Sequence, residues 1–350
     1  YTLWHTLSLH DALPIYVTVA VPGSKSYTHR MFIAAALAEG RSRIRNPLDS
    51  EDTRLTLACL VQLGAAYDED GGDRRIEGTG GAMTAPLKPV DLANSGTSMR
   101  LLTAVAALAR GTVVLTGSAR MQERPVADLL DAMQQLGMRA ESVNRNGCPP
   151  VRIEGGLPFG GRTQLRCKLS SQYLSALLLT APFAETPVEI VVTEGPVSRP
   201  YIDLTLEVME NFGIMVQRQD YDFFRIEPGQ RYRAGDYTVE ADHSQAGYFW
   251  AAAAITGGSV KVQGTRRRSR QGDARFVDCL SAMGCNVESE SDGIRVTGRP
   301  LKAITVDMAD MPDMVPTMAV TAAFAEGTTV IENVAHLRAK ESNRLEAVAA

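Results

Sequence analysis

The sequence predicts an α/β protein built from a repeated unit of about seventy residues. Four segments end in an apolar residue followed by glycine, at Gly64, Gly137, Gly213 and Gly284, at intervals of 73, 76 and 71 residues. Glycine at such a position indicates the end of a helix, because it adopts the left-handed conformation without strain. An alanine-rich helix precedes each of these helices in its unit, and short β-branched runs typical of strands separate the two. Because so small a unit cannot bury its own apolar face, the units are expected to pack on one another.

The first helix of each unit begins at a polar cluster, and its alanine content suits close packing in an interior. These helices are expected to begin near Ser26, Gly96, Ser171, Ser244 and Asp313. A strand should follow each of them, at residues 42–45, 112–116, 188–193, 259–263 and 328–332. The second helices should begin near residues 51–53, 124–125, 199–201, 271–273 and 340–342. Further strands, such as residues 151–154 and 293–297, should follow the glycine caps.

Both ends of the chain depart from the repeat. Residues 1–15 match no part of it and lack the basic and apolar segments of a signal peptide, so we expect a non-native stretch there, similar to translated adapter DNA. The fifth unit stops inside a helix expected near Lys340. We therefore expect the chain to be a fragment.

Composition narrows the range of functions. With 350 residues, of which 45% are hydrophobic, the chain can bury the cores of two domains. A net charge of −4 argues against a general nucleic-acid binder, and no apolar stretch reaches the length of a membrane span. The five cysteines, with no CxxC pair among them, argue against structural zinc and favour a reducing compartment.

Cations recur at the predicted helix starts, although the partial positive charge of the backbone there disfavours them. Lys25, Arg124, Arg199 and Lys340 lie at these starts. Three more arginines lie one turn further into the predicted helices: Arg30, Arg100 and Arg344. Free backbone N–H groups and cations together form anion sites, and arginine is suited to bidentate binding of phosphate or carboxylate. The pattern predicts a small, multiply charged substrate where the helix starts converge.

Two carboxylates stand among those cations. Asp313 is either the cap of the helix that follows it or a proton-transfer group. Glu341 is either one half of a surface ion pair with Arg344 or a second proton-transfer group. The residues alone leave both alternatives open.

Seven motifs, in order and over residues from about Tyr16 to Ala350, resemble the 5-enolpyruvylshikimate-3-phosphate synthases. The motifs are PGSKSYTHR from Pro22, NSGTSMR from Asn94, ERPVADLL from Glu123, SSQY from Ser170, SRPYID from Ser198, MPDM from Met311 and LRAKESNRL from Leu337. The resemblance implies the two-domain inverted, or inside-out, α/β barrel of the enolpyruvyl transferases, with three units in each complete domain. It implies a complete three-unit domain at residues 24–241 and an incomplete second domain formed by residues 16–23 and 242–350.

The same resemblance implies a reaction. The enolpyruvyl group of phosphoenolpyruvate would be transferred to the 5-hydroxyl of shikimate 3-phosphate, with release of phosphate, in the shikimate pathway that leads to chorismate and the aromatic amino acids. It implies a cytoplasmic monomer that is a target of glyphosate. It implies no metal, no organic cofactor, and neither nucleic acid nor membrane as a partner.

Residue roles follow from the resemblance where the motifs match. For shikimate 3-phosphate it implies Lys25, Ser26, Arg30, Ser170, Ser171, Gln172, Ser198, Tyr201, Asp313, His336 and Lys340. For phosphoenolpyruvate it implies Lys25, Gly96, Arg124, Gln172 and Arg344. Asp313 is implied as the general base for the 5-hydroxyl, Glu341 as the proton donor to the methylene carbon, and Lys25 as a further catalytic residue. His336 stands where many members have asparagine, and Leu101 where proline is common.

Three other interpretations stay open. A UDP-N-acetylglucosamine enolpyruvyl transferase would share the fold, but it usually carries a loop cysteine that residues 117–123 lack. A non-enzymatic anion-binding repeat protein would show the helix-start cations without Asp313 and Glu341 among them. The chain could also be an inactive fragment of a synthase, since its second domain is expected to be incomplete.

Overall fold

The computed structural model describes residues 14–340 and 342–349. Its α-helices are α1 (Lys25–Leu37), α2 (Glu51–Gln62), α3 (Gly96–Val105), α4 (Ala127–Gln135), α5 (Gln172–Thr180), α6 (Pro200–Asn211), α7 (His243–Thr256), α8 (Phe276–Ala282), α9 (Val315–Ala322) and α10 (Arg344–Ala349). Short 3-10 helices include Met121–Glu123, Gly272–Arg275, Pro312–Met314 and Ala335–Ala339.

Eighteen strands lie in the same part of the chain. They are β1 (Tyr16–Ala20), β2 (Glu39–Arg45), β3 (Ala66–Asp70), β4 (Asp73–Thr79), β5 (Val90–Asp91), β6 (Gly111–Thr116), β7 (Arg139–Ser142), β8 (Val151–Gly155), β9 (Gly161–Arg166), β10 (Val188–Glu194), β11 (Gln217–Gln219), β12 (Phe223–Ile226), β13 (Asp236–Thr238), β14 (Ser259–Gln263), β15 (Asn286–Glu290), β16 (Gly293–Thr297), β17 (Thr305–Asp307) and β18 (Val330–Glu332). The strands that the sequence predicted all lie within these ranges or overlap them.

The sheets repeat one topology, which confirms the predicted repeat. Four sheets have the strand orders β13-β2-β4-β3, β5-β6-β8-β7, β9-β10-β12-β11 and β1-β14-β16-β15. In each sheet the first two strands are parallel and the later neighbours are antiparallel. β17 and β18 pair in parallel, as the first two strands of a fifth unit do. Within the described residues the sheets are separate and none closes on itself. The expected inside-out barrel is therefore not a continuous barrel of strands, but separate sheets that cover buried helices.

The first helices of the units form the interior. α1, α3 and α5 are buried along almost their whole length, as alanine- and leucine-rich helices without a polar face should be. α3 packs against α5, and α1 packs against α2 and α6. A strand such as β10 alternates between buried and partly exposed residues, so that one face of its sheet covers these helices.

The predicted glycine caps of the second helices are confirmed. Gly64, Gly137, Gly213 and Gly284 have φ values of 114°, 89°, 87° and 112°. At the end of α2, the N–H of Ala65 donates to the carbonyl of Leu60 at 3.1 Å, and that of Gly64 donates to the carbonyl of Val61 at 3.0 Å. The same two hydrogen bonds recur at the ends of α4, α6 and α8. This is the Schellman arrangement, which satisfies carbonyls that the helix leaves open.

Several predicted helix starts were wrong by a few residues. α4 begins at Ala127 rather than at Arg124, and α10 begins at Arg344 rather than near Lys340. In both places a 3-10 helix occupies the preceding residues, and the N–H of Arg124 closes one of them onto the carbonyl of Met121 at 3.0 Å. These two cations therefore follow tight turns instead of opening α-helices.

The chain divides into two compact units. One is Gly23–Val239, and the other is formed by the described residues before Gly23 together with residues from Glu240 onward. Each unit has its own apolar core. The members of one buried cluster lie between Tyr27 and Val239, and those of the other are Val21 and buried apolar residues between Ala241 and Leu337. Over residues 14–340 and 342–349, no helix has the length and apolarity needed to cross a membrane.

Candidate active site

The start of α3 is built around a contact between a glycine and an arginine. Ser95 caps the helix by accepting a hydrogen bond from the N–H of Ser98 at 3.4 Å. The side chain of Arg124 is buried, and its Nη1 donates to the carbonyl of Asn94 at 3.0 Å. A Cβ atom at Gly96 would lie 2.3 Å from Nη2 of that guanidinium. Only glycine therefore lets the cation lie against the first turn of the helix, where the backbone N–H groups also attract anions.

Gln172, at the start of α5, is held by two residues of α3. Its Oε1 accepts a hydrogen bond from Nη1 of Arg100 at 3.0 Å, and its Nε2 donates to Thr97 at 3.0 Å. The guanidinium of Arg100 also lies 5.8 Å from the ring centroid of Tyr173. Both ends of the amide are thereby oriented. Arg100 did not enter the set of site residues taken from the motifs, although its place one turn into α3 was a signal for it.

Lys25 is the first residue of α1 and remains accessible. Its Nζ lies 3.6 Å from Oδ2 of Asp52 in the first turn of α2, and the two side chains are 41% and 34% exposed. A pair so exposed contributes little to stability and can yield to a ligand. The neighbouring Ser26 is half-buried. The predicted cation at this helix start is therefore placed where an anion could reach it.

Arg30, in contrast, is buried within its unit, with a side chain only 1% exposed. Its guanidinium donates to Thr205 at 2.7 Å, to the carbonyls of Ser26 and Tyr201 at 2.9 and 3.1 Å, and to Ser175 at 3.3 Å. Burial lowers the pKa of Arg30 to about 10. Most of its donors are thus used between α1, α5 and α6, and its contact with a substrate stays a prediction.

The remaining predicted polar residues of this unit lie at the starts of α5 and α6. Ser170 accepts a hydrogen bond from the N–H of Gln172 at 3.2 Å, and Ser171 is buried beside it. Ser198 is buried and has a φ of 54°, an uncommon value for a residue with a side chain. Tyr201 lies in the first turn of α6 and is half-buried. Backbone strain like that of Ser198 tends to be retained at functional sites.

Arg199, which was counted among the helix-start cations, lies on an aromatic ring. Its Cζ is 5.2 Å from the ring centroid of Tyr221. The hydroxyl of that tyrosine donates to Asp203 at 2.6 Å, and Nη1 of Arg218 donates to the same carboxylate at 2.7 Å. The π-face of Tyr221 therefore already stabilises the charge of Arg199.

In the other unit, Asp313 lies in the 3-10 helix before α9. Its Oδ1 is 2.6 Å from Nη1 of Arg344, and the two side chains are 30% and 23% exposed. The residue that precedes α9 is Met314, and no side chain caps that helix. The capping interpretation of Asp313 was therefore wrong. What remains is a partly exposed carboxylate that a cation holds in place.

His336 and Lys340 lie near this pair. Burial, followed by the charge of Lys340, lowers the pKa of His336, while Asp313 acts in the opposite direction. The imidazole is thus neutral at pH 7, and its Nε2 has no hydrogen-bond partner among the described residues. Glu341, the predicted proton donor, lies outside the described residues.

A further carboxyl group at this end of the unit was not singled out from the motifs. Asp273, in the 3-10 helix before α8, is almost fully buried and accepts a hydrogen bond from Ser244. The sequence placed it at a helix start, but burial cannot be read from that position. Asp242, two residues before Ser244, caps α7 by accepting from the N–H of Gln245 at 3.0 Å. Among the described residues, no group of three His, Cys, Asp or Glu side chains is arranged to hold a metal ion.

Comparison with known proteins gives consistent results. The family model of EPSP synthase (3-phosphoshikimate 1-carboxyvinyltransferase) matches residues 12–350. The chain is 44% identical over 342 residues to a 3-phosphoshikimate 1-carboxyvinyltransferase of Methanospirillum hungatei, which covers 96% of this chain and 79% of the relative. It is 45% identical over 350 residues to the Erwinia tasmaniensis protein of that name, covering 98% and 81%.

Solved structures agree with these sequence relatives. An EPSP synthase from Acinetobacter baumannii superposes with a TM-score of 0.81 at 29% identity, covering 96% of this chain and 77% of that one. The structural likeness and the sequence relatives therefore point to one group of proteins. Since the family model matches nearly the whole chain, this protein belongs to the EPSP synthase family.

Proposed function

We propose that this chain transfers the enolpyruvyl group of phosphoenolpyruvate to the 5-hydroxyl of shikimate 3-phosphate and releases phosphate, in the shikimate pathway. Its family and the shared name of its relatives support this activity. The structural observation that carries it is the contact between Gly96 and Arg124, which places a buried guanidinium against the N-terminus of α3. Such a pairing of cation and helix start suits a phosphate or carboxylate, and phosphoenolpyruvate carries both.

The proposed phosphoenolpyruvate ligands combine charge with orientation. They are Lys25, Gly96, Arg124, Gln172 and Arg344. The two substrates bring two phosphate groups and a carboxylate, so several cations are needed to neutralise them. Arginine holds such groups bidentately, whereas Lys25 acts as a compact point charge. As negative charge moves onto the departing phosphate, these fixed cations stabilise it without having to reorganise.

The proposed ligands of shikimate 3-phosphate are mostly hydroxyl and amide groups with a few cations. They are Lys25, Ser26, Arg30, Ser170, Ser171, Gln172, Ser198, Tyr201, Asp313, His336 and Lys340. Ser170, Ser171 and Ser198 lie at the starts of α5 and α6, where the first backbone N–H groups have no carbonyl partner within the helix. That arrangement suits the 3-phosphate, while Asp313 and Lys340 suit the ring hydroxyls.

The chemistry requires one base and one acid. Asp313 accepts the proton of the 5-hydroxyl while the hydroxyl oxygen attacks C2 of phosphoenolpyruvate. Glu341 protonates the methylene carbon. The C2 centre passes through oxocarbenium character, and the adduct carries a methyl group. Because the product again contains a methylene group, the carboxylate left on Glu341 takes a proton back from the methyl group as the C–O bond to phosphate breaks.

The test is a substitution of the base with a matched control. Asp313→Asn should lower kcat for phosphate release by about 10²- to 10⁴-fold, because the amide cannot accept the proton. Shikimate 3-phosphate should still bind, since the amide keeps the shape of the carboxyl group. Asp278→Asn, an exposed carboxylate that pairs with Arg267, should leave kcat unchanged. Equal turnover by both variants would contradict the role of Asp313.

The cellular setting is part of the proposal as well. We propose that the protein works in the cytoplasm as a monomer. Four of its five cysteines are buried as small apolar side chains, which is compatible with a reducing compartment. Light scattering at micromolar concentration should give the mass of one chain, about 37.8 kDa. Twice that mass would contradict the monomer.

A further inference from the structure

A buried carboxyl group lies beside the proposed base. Asp273 is 4% exposed, and its 3-10 helix packs against the 3-10 helix that contains Asp313. Ser244 donates a hydrogen bond to Oδ2 of Asp273. The other carboxyl oxygen of Asp273, Oδ1, is buried and has no hydrogen-bond partner within residues 14–340 and 342–349. Buried carboxyl oxygens without a partner are uncommon in folded proteins, so this one requires an explanation.

The cations of this region are distributed unevenly between the two carboxyl groups. Arg344 lies 2.6 Å from Asp313, whereas no lysine or arginine of the described part forms an ion pair with Asp273. A carboxylate buried without a cation is so unfavourable that it normally takes up a proton. Two neighbouring carboxyl groups also resist simultaneous ionisation. The negative charge therefore belongs to the member that has the cation.

The electrostatic surroundings of Asp273 agree with that distribution. Burial, and after it the charge of Asp313, raises its pKa to about 8. Asp242 at the start of α7 raises it further, whereas the hydrogen bond from Ser244 and the charge of Lys340 lower it. The packed elements carry five further charged or titratable groups. Three of them form ion pairs or lie near a charge: His243 near Glu240, Asp278 with Arg267, and Arg275 with Asp310. The other two are Tyr248 on α7 and Cys279 on α8.

We propose that Asp273 is a positioning residue for Asp313: it is the uncharged member of the carboxyl pair, so that Lys340 and Arg344 face one carboxylate rather than two. This inference rests on the proposed function, because the base is Asp313 there. Ionisation of Asp273 would add a second negative charge where an anionic substrate has to bind. The value of kcat/KM for shikimate 3-phosphate should then fall in the alkaline range.

The kinetic test compares Asp273→Asn with the control Asp278→Asn. The amide has the shape of the protonated carboxyl group and can still accept from Ser244, so kcat at pH 7 should stay within about tenfold of the control. The ratio of kcat/KM, variant over control, should rise at least about fivefold between pH 7 and pH 9.5, because only the control retains the ionisable group. A ratio that does not change with pH, or a larger loss at pH 7, overturns the proposal. A purely structural role would leave that ratio flat.

A second measurement does not depend on turnover. In the unaltered chain labelled with ¹³C at the aspartate carboxyl carbons, one signal should titrate near pH 8, whereas ordinary aspartates titrate near pH 4. Assignment by its loss in Asp273→Asn, or by its perturbation in Ser244→Ala, identifies the residue. If every aspartate signal titrates below about pH 6, the proposal is overturned. If the labelled chain shows the titration but releases no phosphate, the proposed function fails while the assignment of the charge stands.

Discussion

At the residue scale, the fit between Gly96 and Arg124 makes a direct prediction. In Gly96→Ala the new methyl group would meet the guanidinium at 2.3–2.7 Å, so the cation must move away from α3. KM for phosphoenolpyruvate should rise by about tenfold or more, since a displaced guanidinium loses its bidentate geometry. Gly235→Ala is the control, because its methyl group would meet only the tip of Tyr237 at 3.2 Å or more. An unchanged KM in Gly96→Ala would remove Arg124 from the proposed site.

Buried polar groups link α1, α2 and α3, and Thr56 of α2 lies at their centre. Its Oγ1 is 2.7 Å from Nδ1 of His29 and 2.7 Å from the hydroxyl of Ser98, and all three side chains are fully buried. Thr56→Val keeps the shape but leaves the buried His29 ring without its hydrogen bond, whereas Ser98 keeps those to Ser95 and to the carbonyl of Asp52. The free energy of unfolding should therefore fall by about 1–3 kcal/mol. Thr112→Val, on the exposed side of β6, should stay within about 0.5 kcal/mol of the unaltered chain in urea unfolding.

His29 also makes stability depend on pH. Burial first, and then Lys25 and Arg30, hold its pKa well below the usual value. His29 therefore binds a proton near pH 6.5 in the unfolded chain, but only at lower pH in the folded chain. The free energy of unfolding should fall as the pH drops below about 6.5, by up to about 1.4 kcal/mol per pH unit. His29→Asn can still bond to Thr56 but does not titrate. Urea unfolding at pH 7.5, 6.5 and 5.5 should show a shallower acid loss in this variant, and equal slopes would contradict the assignment.

Individual residues also show how much of the candidate site could be predicted from the sequence. The motifs identified Gly96 and Arg124, and these two side chains do lie together. They could not reveal that Arg30 is enclosed by α5 and α6, because its hydrogen-bond partners are about 175 positions away along the chain. Asp273 was missed for the same reason. Its sequence neighbours are typical of a helix start, and only packing against another turn makes it unusual.

At the element scale, the four glycine caps allow a comparison between two sites of the same conformation. In Gly64→Ala the new methyl group would have open space around it, with Thr79 at 3.8 Å, so only backbone strain remains. A residue with a side chain at such a φ costs about 1–2 kcal/mol. In Gly213→Ala the methyl group would also meet Arg233 at 3.0 Å. Urea unfolding should thus show a larger loss for Gly213→Ala, and equal losses would mean that the arginine moves aside freely.

The elements themselves were largely predictable from the sequence, and the exceptions share a cause. Glycine caps and β-branched runs are local signals, and they located the ends of α2, α4, α6 and α8. The starts of α4 and α10 were misplaced because a 3-10 helix and an α-helix use the same polar residues at their beginnings. Only the hydrogen-bond pattern distinguishes the two. That pattern depends on the tertiary position of the turn.

At the scale of the whole molecule, the two separate cores suggest two folding units. The buried cluster of Gly23–Val239 draws all its members from that range, so its apolar area is buried without help from the rest of the chain. We propose that this range is an independently stable domain, in line with the three complete units expected there. The other core includes Val21 and the parallel pairing of β1 with β14, which bring an N-terminal strand to residues from the second half of the chain.

Trp250 makes the independence of the two cores measurable. It is fully buried in the second core, where its Nε1 donates to the carbonyl of Ile294 at 3.2 Å, and Gly23–Val239 contains no tryptophan. In a Trp4→Phe background, fluorescence therefore reports one unit, while far-ultraviolet circular dichroism reports both. Urea unfolding should give two transitions by dichroism and one by fluorescence. One of the two dichroism transitions, the one without a fluorescence change, belongs to Gly23–Val239. A fragment of residues 23–239 should unfold cooperatively, with a urea midpoint within about 0.5 M of that transition. A fragment that loses its dichroism gradually, without a transition, would show that the core of Gly23–Val239 depends on the remainder of the chain.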